Sequence, residues 1–204
     1  MVTIIHDRDL AEELIADRRA RGADHHDEVW EGVYMMSPLA DDEHQFITGR
    51  IHTILDLVIG LPGLGVVRPG VNVSDLLRDW TKNYRCPDVA VRLEGGRAEI
   101  RDSYWLGGPD FLVEVVSPDD QTYEKLPFYE SIGTREVLVI DRRPWTLLLY
   151  RLTDGKLVEA GRSTLENGVK LSSEVVPLSF GLIAGQTRPQ MEVAKIEDGQ
   201  RWVI

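Results

Sequence analysis

The chain has 204 residues, a single cysteine and a formal net charge of −11. One cysteine excludes an intramolecular disulfide and a cysteine-rich zinc site, which is typical of a reducing compartment. The acidic charge argues against broad, non-specific affinity for nucleic acid, because that affinity comes from lysine and arginine on phosphates. We expect one cytoplasmic domain over residues 1–204, since no signal peptide and no apolar span long enough to cross a bilayer is recognisable.

The first third of the chain predicts two helices around a short strand pair. Apolar residues recur at helical spacing over 7–21, and Gly22 follows as a stop signal. Residues 29–36 predict a strand pair or a bent strand that turns at Gly32. Residues 43–59 predict an amphipathic helix, because their apolar side chains recur every three or four positions. Such a helix should lie across a sheet.

The middle and the end of the chain are rich in predicted strands. A strand, a helix and a strand over 110–141 form a βαβ unit, which favours some parallel pairing, whereas the later strands look antiparallel. We therefore predict an α/β fold, a mixed β-sheet flanked by helices, with its acids facing one end or cleft. The predicted strands are 66–74, 86–93, 110–117, 136–141 and 146–152, with edge strands at 156–160, 169–171, 192–196 and 201–204; the helix is 122–131.

Two acids interrupt strands that should be buried. Asp88 lies in Pro-Asp-Val-Ala-Val at 87–91, and Glu114 lies in Phe-Leu-Val-Glu-Val-Val at 111–116. An unpaired buried carboxylate costs about several kcal/mol, so something must compensate both. Mg²⁺ takes oxygen ligands and is usually held by one or two protein carboxylates. The pair therefore predicts a divalent-cation site, although Pro-Asp before an apolar run is also common at strand starts.

Lys125 lies at the start of the helix that follows the Glu114 strand, so its side chain can return to the strand end. There it would stabilise charge on a phosphoryl group or orient the attacking water. The alternative is that Lys125 or an arginine simply neutralises Glu114 in a buried ion pair. Tyr129, on the same helix, is interpreted as a packing residue.

Other polar residues give weaker signals. His25, His26 and Asp27 are adjacent in an extended loop, so their side chains should point apart and not share a metal. Cys86 has no partner histidine at a recognisable spacing and is interpreted as a small buried hydrophobe. A scattered set of basic residues around the first acid is diluted by acids and predicts a mixed solvated face: Arg78, Lys82, Arg85, Arg92, Arg97 and Arg101.

The order of these residues resembles the PD-(D/E)XK nuclease superfamily, and the longer pattern resembles its Uma-type branch of restriction endonucleases. The resemblance spans most of residues 28–152 and implies a restriction-endonuclease-like core there, with an N-terminal helix and a C-terminal β-rich extension. The matching residues are Gly32, Met36-Ser37-Pro38, His44, Asp88, Glu-Val-Val-Ser-Pro at 114–118, Lys125, Tyr129, Gly133 and Arg135 to Asp141.

This resemblance implies that Asp88 and Glu114 hold Mg²⁺ or Mn²⁺, with the backbone carbonyl of Val115 as a third ligand. Lys125 would be the catalytic base or charge stabiliser, because Val116 stands where the superfamily has its lysine. His44 would shuttle a proton or donate to phosphate, unless it only caps its helix.

The resemblance also bears on the substrate and on the alternatives. Val33 replaces the acid often found after Gly32, which leaves Glu31 as the nearest acid with no assigned role. The implied activity is metal-dependent hydrolysis of nucleic acid, with DNA expected, by a homodimer. Two alternatives remain open: a catalytically inactive nuclease fold that binds nucleic acid or a protein, and a small-molecule phosphodiesterase.

Overall fold

The computed structural model describes residues 8–37, 40–117 and 121–204. Asp7, Pro38 and Pro118, which belong to a predicted helix and to two matching motifs, lie outside the described residues. None of the described helices is long and apolar enough to cross a membrane. The helices are α1 (Arg8–Ala20), α2 (Asp42–Leu55), which continues into a π-helical turn (Asp56–Gly60), and α3 (Thr122–Ser131), with a short 3₁₀ turn at Trp80–Lys82.

The strands form three sheets, in agreement with the predicted mixed α/β class. They are β1 (Glu28–Trp30), β2 (Val33–Met35), β3 (Gly65–Pro69), β4 (Val73–Ser74), β5 (Tyr84–Arg85), β6 (Val89–Leu93), β7 (Glu99–Ile100), β8 (Trp105–Leu106), β9 (Phe111–Val115), β10 (Glu136–Arg142), β11 (Trp145–Thr153), β12 (Lys156–Ser163), β13 (Leu171–Ser172), β14 (Leu178–Ile183), β15 (Gln190–Lys195) and β16 (Arg201–Val203).

The central sheet has the order β12-β11-β10-β9-β6-β3. Its one parallel pair is β9 with β10, which α3 connects, so the predicted βαβ unit is present. Alternate residues of β9 face opposite sides: Val113 packs in the core that contains α2, and Leu112 packs in the core that contains α3. The two helices therefore cover opposite faces of the sheet.

Two features of the sequence position α2: its N-terminal cap and its stripe of apolar residues. Asp41 accepts a hydrogen bond from the backbone N–H of His44 at 2.7 Å, which satisfies one donor of the first turn. Ile47, Ile51 and Leu55 recur at helical spacing and are all buried. The start of α2 is thereby fixed at one end of the central sheet.

Two predicted strand assignments need correction. The strand predicted over 66–74 is two strands, because the chain turns at Gly70, whose φ is +57°, and β4 joins a different sheet. The strand predicted over 86–93 begins only at Val89, since Pro87 has no N–H for the ladder. Asp88 therefore immediately precedes β6 and does not lie within it.

In the C-terminal part of the chain the structure adds a strand, β14, that was not predicted. Its alternating residues Leu178, Phe180 and Leu182 are buried, but Gly181 interrupts the apolar run and weakens the strand pattern. The sheet β13-β14-β15-β16 packs on the α2 side of the central sheet, where Phe180 stacks on Phe111 at 5.9 Å between ring centroids.

Candidate active site

The two predicted acids lie opposite each other at one end of the central sheet. Val89 pairs with Val113 in the antiparallel ladder, so Asp88 falls opposite Glu114 at the next position. Asp88 Oδ2 accepts a hydrogen bond from the Val115 N–H at 2.7 Å. The strand order of β6 and β9 thus brings together two carboxylates that are 26 positions apart in the chain.

Glu114 is 2% exposed and receives donors from α3. Tyr129 donates its hydroxyl to Glu114 Oε1, and the ammonium of Lys125 lies 3.3 Å from each carboxylate oxygen. Burial raises the pKa of Glu114. The positive charge of Lys125 opposes this rise, and the negative charges of Asp88 and Glu28 reinforce it. A further cation at this carboxylate would favour its ionised form.

Lys125 reaches the strand end, as its position in the chain predicts, and it contacts a second acid there. Its Nζ lies 2.9 Å from Glu28 Oε1. Glu28 is itself held by the Cys86 N–H at 2.8 Å and by Trp30 Nε1 at 2.6 Å. The ammonium is therefore fixed between two buried carboxylates. The buried ion pair with Glu114, one of the two roles that the sequence allows for Lys125, is thus present.

Glu28 is the site residue that sequence reasoning missed. It is 3% exposed and opens β1, just before Val29 and Trp30. The signal is the one that singled out Glu114, an acid next to an apolar strand segment, but it is weaker because only two apolar residues follow. Tyr129 was interpreted as packing alone; the structure adds its hydrogen bond to Glu114.

His44 projects from the first turn of α2 to Asp88. Its Nε2 lies 3.2 Å from Asp88 Oδ1, while Asp41 caps the helix through the backbone. Burial alone would lower the pKa of His44, but the hydrogen bond and the charge of Asp88 outweigh it and raise that pKa above 6.5. The α2 helix thus supplies an imidazole to the acid pair.

The remaining candidate residues differ in whether they line the cavity. Glu31, at a left-handed turn with φ of +49°, is exposed and lies outside the cavity lining. Cys86 lines the cavity, and burial raises the pKa of its thiol. His25 and His26 both line the cavity, but the His25 ring lies beside Gly22 and the His26 ring beside Gly70, so the two side chains point apart, as predicted. Asp27 instead accepts from Arg18 and Tyr34.

These side chains enclose a cavity of about 360 Å³. Its described lining residues include three carboxylates, those of Glu28, Asp88 and Glu114, and one ammonium, which is the only Lys or Arg group among them. A surplus of carboxylates over cationic side chains suits a divalent cation with oxygen ligands, because a bound cation favours their ionised forms. The residues present therefore fit a metal ion chemically. The cavity is lined by His25, His26, Glu28, Ser37, Ala40, His44, Gln45, Thr48, Pro69, Gly70, Cys86, Asp88, Glu114, Ser117 and Lys125.

Comparisons with known proteins identify a protein of similar fold and the family of this chain. No curated protein sequence matches the chain. A crystal structure of a protein from Anabaena variabilis, described as a putative nuclease belonging to DUF820, matches with a TM-score of 0.51 at 22% identity. The match covers 61% of this chain and 71% of that chain, and it shows a shared fold. The Uma2 family model, described as "Putative restriction endonuclease", matches residues 12–184. The chain therefore belongs to the Uma2 family, as the residues from Gly32 to Asp141 predict.

Proposed function

We propose that the protein is a metal-dependent nuclease that hydrolyses phosphodiester bonds, with DNA as its nucleic acid. The observation that carries this proposal is the convergence of Asp88, Glu114 and Lys125 in one cavity at the end of β6 and β9. Membership of a family described as restriction endonucleases supports the reaction class. The surplus of carboxylates supports the need for a cation.

Asp88 and Glu114 would hold Mg²⁺ or Mn²⁺, with the carbonyl of Val115 as a third ligand. The described residues contain no group of three or more His, Cys, Asp or Glu side chains arranged to hold a metal. Water and substrate oxygens would therefore complete the coordination, as Mg²⁺ commonly requires. Such a cation polarises a phosphoryl oxygen and lowers the pKa of water.

The chain's own side chains orient the ligands and stabilise charge. Lys125, held by Glu28 at 2.9 Å, places a fixed positive charge beside Glu114, where negative charge develops on the phosphoryl oxygens. Tyr129 keeps Glu114 in one orientation through its hydroxyl. His44 orients Asp88 and carries a proton that it can donate to a phosphate oxygen or leaving group.

The test of the metal site is calorimetric titration with Mn²⁺, which needs no assumption about substrate. We expect saturable binding by the wild type and its loss in Glu114→Gln. The matched control is Asp110→Asn, which removes a buried carboxylate directly before β9, outside the cavity lining. Binding that survives in Glu114→Gln would contradict the site. If the wild type binds no Mn²⁺ either, an inactive nuclease fold that serves as an interaction module becomes the better account.

A small phosphodiester is the second candidate substrate, because the described cavity lining holds one lysine and no arginine. Hydrolysis of bis(p-nitrophenyl) phosphate without cleavage of DNA or RNA would favour it. We also propose a homodimer, since two active sites would be needed to cut both strands of a duplex. Sedimentation equilibrium should then give twice the 23.1 kDa of one chain.

A further inference from the structure

A second cavity of about 450 Å³, which we call the distal cavity, lies at the end of the central sheet opposite to the candidate active site. Its lining residues include Gly96, which follows β6, Asp110, which directly precedes β9, and Glu136, which begins β10. Glu114 lies near the other end of β9, so the length of that strand separates the two cavities. A cavity of this size is typical of a site for a small ligand.

The distal cavity differs from the active-site cavity in the charges of its lining. The active-site cavity has three carboxylates and one ammonium, whereas the distal cavity has three guanidinium groups and three carboxylates. These charged residues are Arg97, Arg135, Arg151, Asp110, Glu136 and Glu174. What the distal cavity can bind therefore depends on which of these groups are already paired within the protein.

Two of the three carboxylates are buried and engaged. Asp110 is 5% exposed, and its Oδ2 accepts a hydrogen bond from the Leu93 N–H at 2.8 Å. Glu136 is 0% exposed and accepts from Arg151 Nε at 2.7 Å and from the Glu174 N–H at 3.1 Å. Arg151 also lies 2.8 Å from the Glu174 carboxylate. These acids and Arg151 are thus occupied with one another or with the backbone.

Arg97 and Arg135 keep hydrogen-bond donors for a ligand. The Arg135 side chain is 52% exposed, and among the described residues its guanidinium contacts Asp110 alone, at 3.3 Å from Nη1 to Oδ1. Because Asp110 also lines the distal cavity, this contact places the guanidinium there. Arg97 is exposed, and its side chain has no hydrogen bond or ion pair with the part of the chain that the structure describes. The unused hydrogen-bonding capacity of this lining is therefore mainly cationic.

We propose that the distal cavity binds the phosphate group of a nucleotide through Arg97 and Arg135. A guanidinium group matches a phosphate because it can donate two parallel hydrogen bonds to two phosphate oxygens. The volume leaves room beside the phosphate for a sugar and a base, and the Glu174 carboxylate, whose side chain is 70% exposed, can accept hydrogen bonds from their hydroxyl or amino groups. The proposal does not depend on the proposed nuclease function, since different residues line the two cavities.

The test is isothermal titration calorimetry with adenosine 5′-monophosphate and with adenosine, without divalent cations. We expect saturable binding of the nucleotide and at least about tenfold weaker binding of adenosine, because only the phosphate carries charge. Arg97→Gln and Arg135→Gln should each weaken nucleotide binding by about tenfold or more, the effect of losing hydrogen bonds to a charged group. The matched control, Arg101→Gln, removes the same charge from an exposed side chain that pairs with Glu99 outside the distal cavity, and should change the affinity by less than about twofold.

Binding at the distal cavity should not depend on the active-site carboxylates. Glu114→Gln should therefore bind the nucleotide as the wild type does, and loss of binding in this variant would overturn the proposal. Equal affinities for the nucleotide and adenosine, or equal effects of Arg97→Gln and Arg101→Gln, would overturn it too.

An oligodeoxynucleotide with and without a 5′-phosphate distinguishes the two sources of the phosphate group. Binding of the phosphorylated strand that is tighter than that of adenosine 5′-monophosphate and is weakened by Arg97→Gln would support a site for the end of a nucleic acid. The reverse order of affinities would support a site for a free nucleotide. No saturable binding of either phosphate-bearing probe would refute the proposal.

Discussion

Replacing Lys125 with methionine would test the charge network at the centre of the site. The substitution keeps much of the side-chain volume and removes the ammonium that lies 2.9 Å from Glu28 and 3.3 Å from Glu114. The side chains of Lys125, Glu28 and Glu114 are only 11%, 4% and 3% exposed, so solvent screens the interactions little. Removing one partner of a buried ion pair costs about 3–5 kcal/mol. We expect a loss of that size in the free energy of unfolding at pH 8 without metal.

The loss should depend on pH because Glu114 can take up a proton. Burial raises the pKa of Glu114 in the folded protein above 4.5, its value in the unfolded chain. A raised pKa contributes stability that is present below pH 4.5 and is lost as the pH rises through the folded pKa. Lys125→Met removes the charge that opposes this shift, so the variant should lose less stability at pH 5 than at pH 8.

Urea denaturation followed by tryptophan fluorescence measures both quantities, since the chain has five tryptophans. The matched control is Lys156→Met, which breaks the Lys156–Glu130 ion pair of 2.7 Å, whose lysine side chain is 74% exposed. Solvent screens that pair, so the control should stay close to the wild type. Equal stability of Lys125→Met and the wild type at pH 8 would refute the reasoning. A loss of the same size at pH 5 and pH 8 would mean that packing, not charge, is responsible.

Two further predictions concern the same carboxylates. Metal-free wild type should become less stable as the pH rises above 4.5, and Glu114→Gln should remove most of that slope, as urea midpoints at several pH values will reveal; an unchanged slope in the variant would place the titrating group elsewhere. Asp88→Asn should lower the pKa of His44 from above 6.5 to below it, because burial then acts without the opposing charge. Titration of the His44 ring resonance by NMR measures this, and a pKa that stays above 6.5 would rule out Asp88 as its cause.

Much of the central fold follows from local patterns. The apolar periodicity of residues 43–59 predicts α2, and the run around Glu114 predicts the most buried strand, because each pattern matches one repeating geometry. The strand at 178–183 escaped prediction since Gly181 breaks the apolar run. The split of 66–74 escaped it because Gly70 sends the next residues to another sheet, which is a tertiary choice.

The candidate site was likewise only partly predictable from the sequence. Asp88, Glu114 and Lys125 stand out in the sequence because a charge in or beside an apolar strand requires compensation, and a helix directly after the strand can supply it. Glu28 gives only a weak local signal, because just two apolar residues follow it. Only the packing of β1 beside β5 brings Glu28 to Lys125. Local chemistry thus identifies which residues need a partner, but long-range packing decides which partner each one has, because contacts between distant segments depend on how the elements assemble and not on the residues within them.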